Sequence, residues 1–384
     1  MSNVTIPWSN RLQAYNPSED EQRPLRRGLA WDLLGASGLL DSPWANVVDP
    51  PVASDGEIAR VHMEPYIRAV RRYSADPGLA MEWEAPQWGF VPGMDTVARA
   101  GMHEAAAGVC GAALEGARIV WRDPGTRAFC PAPAGLHHAL ANRASGFCIY
   151  NDCALAVRKL LELGAERVAY VDLDAHHGDG VQWIFYEDPR VLSISVHEHA
   201  PGFFPGSGAL EERGAGAGAG ATLNVPLPPF AGDEPFLAAI EEVVAPAVER
   251  FAPEALVVHL GADVHHSDPL AHLQVGLAAL QRAYAEIVAL ATRAAGDRLL
   301  AIAGGGYNPM TLGRIWALQL SALAGTMVGD ELPNAWREAA RGALGEEPPE
   351  NLRHDPAPSA DPERRRAADR QALRTVAQAQ EMLG

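Results

Sequence analysis

The sequence predicts a single-domain α/β fold in which helices flank a parallel sheet of about eight strands. Three observations support this prediction: short apolar runs that are nearly continuous, helical patterns between them, and polar residues directly after several of the runs. Continuous runs of Val, Ile and Leu are typical of strands that are buried on both faces of a parallel sheet. Their alternation with helices indicates right-handed strand–helix–strand crossovers.

The helical patterns and the apolar runs define the predicted elements. Residues 152–163 carry apolar side chains at helical spacing and stop at Gly164, a usual C-terminal glycine. Residues 233–250 begin with Asp and an early Pro, and Pro246 is expected to break or kink this helix. Residues 273–293 form a third predicted helix. The predicted buried strands are residues 168–173, 191–196, 256–260 and 299–303.

Two segments of biased composition interrupt this pattern. Residues 214–221 read GAGAGAGA, which is too poor in side chains to build a core, so we expect a surface loop. Residues 346–363 are rich in Pro and charge and are predicted to be loosely packed, whereas residues 364–383 have helical composition. The sequence therefore predicts a domain at 1–345 and a C-terminal Pro- and charge-rich segment with a helix at 346–384.

The charge and the cysteine content narrow the function classes. A formal net charge of −17 argues against a general affinity for nucleic acid or anionic lipid. The four cysteines form no C-x-x-C pair, which argues against thiolate zinc sites and thioredoxin-type redox chemistry. The N-terminus lacks the pattern of a signal peptide, and no apolar run reaches the ~18 residues of a membrane span. We therefore expect a cytoplasmic protein without nucleic-acid or membrane partners, while the oligomeric state stays open.

The most informative motif is YVDLDAHHGDG at residues 170–180. Asp172, Asp174 and His176 stand at alternate positions near a strand end, so their side chains point the same way while the chain stays extended. Burying three unpaired ionisable groups would be costly, and a divalent cation would offset that cost. Ligand sites of open α/β sheets lie beyond the carboxyl ends of strands, which is where this motif lies.

A second carboxylate, Asp263, directly follows another predicted strand in the motif VVHLGADVHHSD. Two Asp and one His, with no thiolate, would suit Zn²⁺ with an open coordination position and could also accept Fe²⁺, Mn²⁺ or Co²⁺. An open position is typical of catalytic metal sites, in which the pKa of a bound water falls towards ~7.

Two further motifs carry groups that could act beside such a metal. His137 and His138 are adjacent in a Pro- and Gly-rich loop and could transfer protons, with Asp172 and Asp179 available as carboxylate partners. Tyr307 follows a glycine run in AGGGYN, where its phenol could donate a hydrogen bond to a substrate carbonyl oxygen. The glycine run lacks the Lys and Ser/Thr of a phosphate-binding loop.

The chain resembles zinc-dependent histone deacetylases in five motifs, which occur in the family's order and at closely similar spacing: PAGLHHALANRASGFCIYND, YVDLDAHHGDGVQ, SISVHEHAPGFFPGSG, LGADVHHSDPL and GGGYN. The resemblance covers residues 26–316 and is strongest to the bacterial acetoin-utilisation (AcuC-type) deacetylases. It implies the arginase/deacetylase-like form of the α/β fold, with the deacetylase catalytic domain at 1–345. It also implies zinc-dependent hydrolysis of the N-acetyl (acyl) amide of lysine side chains in proteins, with release of acetate.

The resemblance implies roles for individual residues. His138 would be the general base and then the general acid, with His137 as its electrostatic partner. Asp179 would orient His138, Asp172 would orient His137, and Tyr307 would polarise the acetyl carbonyl. The implied zinc ligands are Asp174, His176 and Asp263.

The resemblance also implies residues for substrate and cation binding. Phe147 and Phe204 would form the walls of a narrow channel around the acyl-lysine stem, and Asp95 would grip the substrate backbone at the rim. The full set of implied channel residues is Phe147, Phe204, Gly146, Asp95 and Leu270. A monovalent cation such as K⁺ is implied at two sites. The first site would comprise Asp172, Asp174, His176, Ser195 and Val196. The second would comprise Phe185, Asp188 and Val191, which would bind the ion through oxygens.

The sequence departs from the family pattern at two places. Ala303 replaces the first residue of the glycine run. Residues 15–27, YNPSEDEQRPLRR, differ from the family's HP-x-x-P-x-R element, in which Arg26 is aligned with an internal-channel arginine. Because this element borders the site, the substrate stays open. The alternatives to a protein-lysine deacetylase are an acetylpolyamine amidohydrolase, a non-catalytic metal-binding homologue and an arginase-like two-metal hydrolase. The identity of the native metal, Zn²⁺ or Fe²⁺, also stays open.

Two histidine pairs are assigned outside the metal. His197 and His199 alternate on a predicted strand and could mimic a metal-binding pair, but the family match leaves them out. His265 and His266 follow Asp263 closely and are assigned to the rim or the surface.

Overall fold

The computed structural model describes residues 2–18, 23–91 and 93–383. Within these ranges eight strands form one sheet, and every pair of neighbouring strands is parallel. The strands are β1 (Asn3–Pro7), β2 (Ala45–Val48), β3 (Thr126–Cys130), β4 (Val168–Asp172), β5 (Val191–Glu198), β6 (Thr222–Leu227), β7 (Ala255–His259) and β8 (Leu299–Ile302). Their spatial order is β2-β1-β3-β8-β7-β4-β5-β6. This all-parallel architecture confirms the predicted fold class.

Helices connect and flank these strands. The α-helices in the described ranges are α1 (Arg23–Ala36), α2 (Asp55–Ile58), α3 (Glu64–Ala75), α4 (Met102–Arg122), α5 (Asp152–Glu162), α6 (Asp179–Phe185), α7 (Asp233–Ala238), α8 (Ala245–Phe251), α9 (Leu277–Ala294), α10 (Pro309–Ala324), α11 (Asn334–Leu344) and α12 (Pro362–Glu381). Short 3-10 helices span Asn10–Ala14, Pro77–Met81, Ala85–Trp88 and Gly216–Gly218, and a π-helical segment spans Ala239–Val244.

The two faces of the sheet bury separate apolar cores. Ala169 and Val171 of β4 belong to the core that includes α1, α9, α10 and α12. Val168 and Tyr170 of the same strand belong to the core that includes α3, α4 and α5. Successive side chains of a strand point to opposite faces of a sheet. The nearly continuous apolar runs in the sequence are therefore explained by helices covering both sides of the sheet.

The carboxyl ends of four adjacent central strands carry the predicted site motifs. β3, β8, β7 and β4 are neighbours in the sheet. His137 and His138 follow β3, Tyr307 follows β8, Asp263 follows β7, and the DLDAHHGDG motif follows from the end of β4. Parallel strands end at the same edge of a sheet, so the topology brings these four segments together.

The predicted strands correspond to β4, β5, β7 and β8, with ends displaced by at most two residues. Pro246 does not break the predicted helix at 233–250. The π-helical segment Ala239–Val244 precedes it, and the chain continues directly into α8. Proline lacks an N–H and its ring excludes the carbonyl four residues earlier, so a wider turn before Pro246 accommodates it.

Helix α9 begins at Leu277, four residues later than the predicted start at residue 273. The preceding residues are extended and tied to neighbouring loops. Gln274 N–H donates to Ala231 O, and Val275 forms a parallel bridge with His265. Apolar periodicity alone did not reveal these long-range hydrogen bonds.

The C-terminal segment is held against the rest of the chain. Leu352 is 1% exposed and belongs to the core that includes α1 and α9. Arg314 donates hydrogen bonds to His354 O at 2.5 Å and to Leu352 O at 3.2 Å. The prediction that residues 346–363 pack loosely is therefore wrong around Leu352. The domain boundary at residue 345 stays a prediction.

Among the helices of the described ranges, none combines the length and the apolar character that a membrane span requires.

Candidate active site

The three predicted metal ligands meet at the carboxyl ends of β4 and β7. His176 Nδ1 lies 3.1 Å from Asp174 Oδ1 and 3.2 Å from Asp263 Oδ2. One donor atom of each residue lies within 4.8 Å of the other two. Asp174 and Asp263 are buried, and His176 is partly exposed. The donors therefore form a compact group of two carboxylates and one imidazole that opens on one side.

The chemistry of this group fits a divalent cation. Burial, together with the charge of Asp174, raises the pKa of Asp263 to about 6, so the two carboxylates are costly as neighbouring anions. A cation between them would offset this repulsion, and oxygen and nitrogen donors without thiolate are typical of catalytic zinc. A Cβ on Gly305 would come within 2.3 Å of Asp174 Oδ2 and 2.7 Å of Asp263 Oδ2. The glycine run is therefore required for the backbone to approach the carboxylates.

Each histidine of the predicted pair is held by its own carboxylate. His137 Nδ1 lies 2.8 Å from Asp172 Oδ2, and His138 Nδ1 lies 2.6 Å from Asp179 Oδ1. All four side chains are buried. Because a carboxylate only accepts hydrogen bonds, the Nδ1 atom of each imidazole carries the proton and Nε2 is the remaining nitrogen. The predicted pairings of Asp172 and Asp179 therefore match the observed geometry.

The electrostatics keep His138 neutral. Burial lowers the pKa of His138 well below its usual value, and the neighbouring imidazoles of His137 and His176 lower it further. Burial also raises the pKa of Asp179 to about 6. At neutral pH the pair is therefore a neutral imidazole that donates to a carboxylate, with an unprotonated Nε2.

Asp172 connects the histidine pair with the loop that carries Asp174, a predicted metal ligand. Its Oδ2 accepts hydrogen bonds from His137 Nδ1 and, at 2.5 Å, from the Tyr170 hydroxyl. Its Oδ1 accepts from Asp174 N–H at 3.1 Å. One fully buried carboxylate therefore fixes both an imidazole of the pair and the backbone of Asp174, a predicted metal ligand.

Tyr307 is held through its backbone by a residue that the sequence analysis did not identify. Its N–H donates to Asp268 Oδ2 at 2.7 Å, and the other carboxylate oxygen of Asp268 accepts from Leu270 N–H at 2.9 Å. Burial, with the nearby charge of Asp263, raises the pKa of Asp268 to about 7. Arg26 lies over the Tyr307 ring, 5.1 Å from its centroid. The single signal for Asp268 was its position five residues after Asp263.

A cavity of about 270 Å³, the outer cavity, leads from the surface to His138, His176 and Tyr307. All five predicted channel residues lie in its lining, which includes Asp95, Gly146, Phe147, Phe204 and Leu270. Phe204 and Leu270 are exposed, so this lining reaches the surface. The structure therefore brings the predicted channel and the predicted catalytic residues together.

Asp95 supports the wall of this cavity. Its Oδ2 accepts from Gly146 N–H at 3.0 Å, and Thr96 Oγ1 accepts from Phe147 N–H at 3.0 Å. Phe147 has a φ of 63°, a left-handed conformation that is strained for a residue with a side chain. On the other side, Tyr15 donates its hydroxyl hydrogen to Phe147 O at 2.7 Å. These bonds hold Phe147 in place despite the strain.

A second, inner cavity of about 70 Å³ lies behind the same residues. Its lining includes Tyr15, Arg26, Arg27, His137 and Tyr307. Arg27 Nη2 donates to Tyr15 O at 2.5 Å. The altered N-terminal element therefore borders the inner end of the site, although residues 19–22 of that element lie outside the described residues.

His259, the last residue of β7, is a site residue that the sequence analysis missed. Its Nε2 lies 3.3 Å from Asp174 Oδ2, and its Nδ1 lies 3.2 Å from Ile302 O. Burial would lower its pKa, but the charge of Asp172 and the hydrogen bond to Asp174 outweigh burial and raise the pKa to about 9. The available signal was a polar residue at the end of an apolar strand, in register with Asp172 on β4.

The residues of the first predicted monovalent-cation site are close together. Ser195 on β5 is the register partner of Asp172 on β4, and its Oγ accepts from Gly178 N–H at 3.4 Å. At the second site, the Asp188 carboxylate pairs with Arg190 at 2.7 Å, and Asp188 O accepts from Val191 N–H. Both cation sites stay predictions.

Two histidine pairs were predicted not to bind the metal, and the structure places them in different environments. His197 is buried on β5, between β4 and β6, and contacts Ser195 Oγ at 2.9 Å and Gly208 O at 3.1 Å, which is a structural role. The assignment of His265 to the rim or surface is wrong. His265 is 2% exposed, and its Nε2 lies 3.1 Å from Asp355 of the C-terminal segment.

Comparisons with known proteins agree with this arrangement. A family model described as a histone deacetylase domain matches residues 20–323. The acetoin utilization protein AcuC of Staphylococcus xylosus is 35% identical over 343 residues, which is 89% of this chain and 83% of the relative. The acetoin utilization protein AcuC of Bacillus subtilis (strain 168) is 38% identical over 322 residues, which is 83% of this chain and 80% of the relative. The chain therefore belongs to the histone deacetylase family, is similar within it to the bacterial acetoin utilization proteins, and is a deacetylase.

Proposed function

We propose that this deacetylase hydrolyses the N-acetyl (acyl) amide of lysine side chains in proteins, with a divalent metal ion, and releases acetate. The observation that carries the proposal is the lining of one cavity of about 270 Å³, which joins His138 of a His–Asp pair, the metal-ligand residue His176 and Tyr307. These are the kinds of group that amide hydrolysis needs: a site for a Lewis acid, a proton carrier and a hydrogen-bond donor.

Asp174, His176 and Asp263 would hold the metal. Zn²⁺ is the proposed ion because its catalytic sites take three oxygen and nitrogen ligands and keep one position open, and Fe²⁺ is the alternative. When bound, the ion supplies Lewis acidity, which polarises the amide carbonyl and lowers the pKa of a water molecule. Monovalent cations at the two predicted sites remain part of the proposal.

His138 is the proposed general base and general acid. Its Nδ1–H donates to Asp179, so Nε2 is the nitrogen that takes a proton from the attacking water. The same Nε2–H then donates the proton to the departing lysine amine. Burial lowers the pKa of His138 and so keeps Nε2 ready to accept a proton. His137, held by Asp172, would stabilise the charge that develops beside it.

Tyr307 is the proposed hydrogen-bond donor to the substrate. Its phenol would donate to the acetyl carbonyl oxygen, and this bond would strengthen as negative charge develops on that oxygen. The hydrogen bond from Tyr307 N–H to Asp268 fixes the residue on the glycine loop beside the metal ligands. A donor that is already in place costs little reorganisation during the reaction.

The two cavities suggest how substrate and product are placed. Acetyl-lysine is uncharged, and its apolar stem would lie between Phe147 and Phe204 in the outer cavity. The inner cavity is small and has Arg26 and Arg27 in its lining, charges that suit an acetate product. A protein substrate would therefore reach the site with one side chain and leave its backbone at the rim, near Asp95.

The test is acetate release from acetyl-lysine peptides by the purified, Zn²⁺-loaded protein. We expect turnover, and we expect His138→Ala to reduce kcat by about 10²–10⁴-fold. His354→Ala is the matched control because His354 is an exposed histidine outside both cavities. No acetate release, with His138→Ala equal to the wild type, would contradict the proposal.

The acetylpolyamine alternative has one supporting observation. Asp95, a partly exposed carboxylate, lies in the outer cavity of a protein with a net charge of −17, and acetylated polyamines carry positive charge. A comparison of kcat/KM for acetylated polyamines and acetyl-lysine peptides separates the two substrates. A higher kcat/KM for the acetylated polyamines would contradict the protein-lysine proposal and favour the polyamines as substrates.

A further inference from the structure

A second cluster of metal-ligating side chains lies where the loop after β7 meets the C-terminal segment. His265 Nε2 lies 3.1 Å and His266 Nε2 lies 2.7 Å from the same atom, Asp355 Oδ1. One donor atom of each residue lies within 4.8 Å of the other two. Two imidazoles from adjacent residues therefore converge on one carboxylate oxygen, and the cluster shares no residue with the proposed catalytic metal site.

The three side chains are held in orientation by other groups. Asp355 Oδ2 accepts from Leu277 N–H at 2.7 Å, which directs Oδ1 towards the imidazoles. His265 Nδ1 lies 2.9 Å from Ser267 Oγ. Side-chain exposure is 2% for His265, 7% for His266 and 18% for Asp355, so the donors are largely shielded from water.

The cluster is open on one side to a cavity. This cavity has a volume of about 320 Å³, and His266 and Asp355 lie in its lining. Its lining also carries charges of both signs, from Arg353, Arg365 and Asp233, and a water molecule has room there. Three fixed donors with one accessible side are what a tetrahedral metal site with an exogenous fourth ligand requires.

We propose that His265, His266 and Asp355 form a second divalent-metal site, which fastens the C-terminal segment to the loop after β7. The ligands are His265 Nε2, His266 Nε2 and Asp355 Oδ1. Imidazole-rich sites prefer Zn²⁺, Co²⁺, Ni²⁺ and Cu²⁺ over Mg²⁺ or Ca²⁺. Metal–ligand bonds of about 2.0–2.1 Å place neighbouring donors about 3.3 Å apart, so the observed separations of 3.1 Å and 2.7 Å need to widen by about 0.2 Å and about 0.6 Å.

His265 can adopt one tautomer in the metal-free cluster and the other tautomer in the metal-bound cluster. Without metal, Ser267 N–H approaches Nδ1 at 3.2 Å, and Nε2–H donates to Asp355. With metal, Nε2 would offer its lone pair to the ion, and the proton would move to Nδ1, which would donate to Ser267 Oγ and give up the hydrogen bond that it accepts from Ser267 N–H. Ligating histidines usually donate their second N–H to such an oxygen.

The test is the metal content of untagged, full-length protein that has been stripped by chelation and titrated with Zn²⁺. Elemental analysis and calorimetry of the wild type should give two equivalents. His266→Ala and Asp355→Asn should each lose one, and His354→Ala, a change beside the cluster, should retain both. His176→Ala should lose the other equivalent, which separates this site from the catalytic one. The second equivalent should also slow proteolysis of the C-terminal segment in the wild type but not in Asp355→Asn.

A wild type that binds one equivalent, lost in His176→Ala and retained in His266→Ala and Asp355→Asn, would overturn the proposal. Circular dichroism of each variant shows whether it is folded. If His266→Ala is unfolded, Asp355→Asn decides, because the amide keeps the size and one acceptor of the carboxylate but lacks its charge. Failure of this proposal leaves the deacetylase activity unaffected, and an inactive wild type that binds two equivalents would leave this proposal intact.

Discussion

His138 Nδ1 and Asp179 Oδ1 lie 2.6 Å apart, and both side chains are buried beside the group of predicted metal ligands. The carboxylate has one acceptor atom directed at the imidazole, so it selects the tautomer with the proton on Nδ1. In this tautomer Nε2 carries no proton and is free to accept one during the reaction. We therefore expect His138 and Asp179 to act as a unit, so that changes to Asp179 act through His138.

The first prediction concerns the orientation of His138. Asp179→Asn should reduce kcat by about 10²–10⁴-fold because the amide can stabilise the wrong imidazole tautomer and cannot stabilise the imidazolium that forms. KM should change little, since Asp179 is absent from the lining of the outer cavity. Steady-state kinetics on acetyl-lysine peptides measures both constants. Unchanged kcat would show that Asp179 does not act through His138.

The second prediction concerns the pH dependence of stability. Burial raises the pKa of Asp179 to about 6 from 3.8. The folded state thus binds this proton more tightly than the unfolded state, so the stabilising contribution is present below about pH 4 and is lost as the pH rises through about 6. Asp179→Asn should therefore gain unfolding free energy relative to the wild type between about pH 4 and about pH 7, by at most about 3 kcal/mol.

Chemical denaturation of both proteins in the metal-free form, at several pH values, measures this difference. A difference that stays constant across the range would mean that Asp179 titrates normally in the folded protein. A difference of opposite sign would mean that a partner holds its pKa below the usual value.

The third prediction concerns Tyr307. Tyr307→Phe removes the phenol and keeps the ring, so kcat should fall by about 10²–10³-fold, the cost of losing one donor to a developing oxyanion. Zn²⁺ affinity should stay the same because Tyr307 contributes no predicted ligand atom. Kinetics and a competition titration for Zn²⁺ check the two parts. Equal kcat in the variant and the wild type would remove Tyr307 from the mechanism.

The fourth prediction separates two roles of Asp95. Its carboxylate accepts from Gly146 N–H and also lies in the outer cavity. Asp95→Asn retains an acceptor for Gly146 but loses the charge, whereas Asp95→Ala loses both. If Asp95 mainly supports the Gly146–Phe147 wall, Asp95→Ala should lower kcat/KM by about 10-fold or more, and Asp95→Asn should stay near the wild type. Equal losses in both variants would instead favour a charge contact with substrate.

The alternating spacing of Asp172, Asp174 and His176 was sufficient to predict from the sequence that their side chains gather at one strand end, and the structure brings the donor atoms of Asp174, His176 and Asp263 within 4.8 Å of one another. Periodicity fixes which side chains share a direction, and the carboxyl ends of parallel strands fix where they lie. The donor group that Asp263 completes follows from the same two rules. The histidine–carboxylate pairings came from the family resemblance, and the observed hydrogen bonds agree with them.

The residues that the sequence did not reveal act through tertiary contacts. His259 contacts Asp174 only because β7 pairs with β4, and strand order is not written in local periodicity. Asp268 supports Tyr307 across 39 positions of sequence. Asp355 lies in a segment whose composition suggested loose packing, yet it accepts hydrogen bonds from two histidines and from the start of α9. Composition describes a segment's average behaviour and misses a single anchoring carboxylate.

The most direct test of the central claim is the anomalous scattering of a crystal of the active, Zn²⁺-loaded protein, measured on both sides of the zinc absorption edge. We predict a zinc peak about 2.0–2.2 Å from Asp174, from His176 Nδ1 and from Asp263. A preparation that releases acetate from acetyl-lysine peptides but shows no zinc or other metal between these three residues would contradict the account.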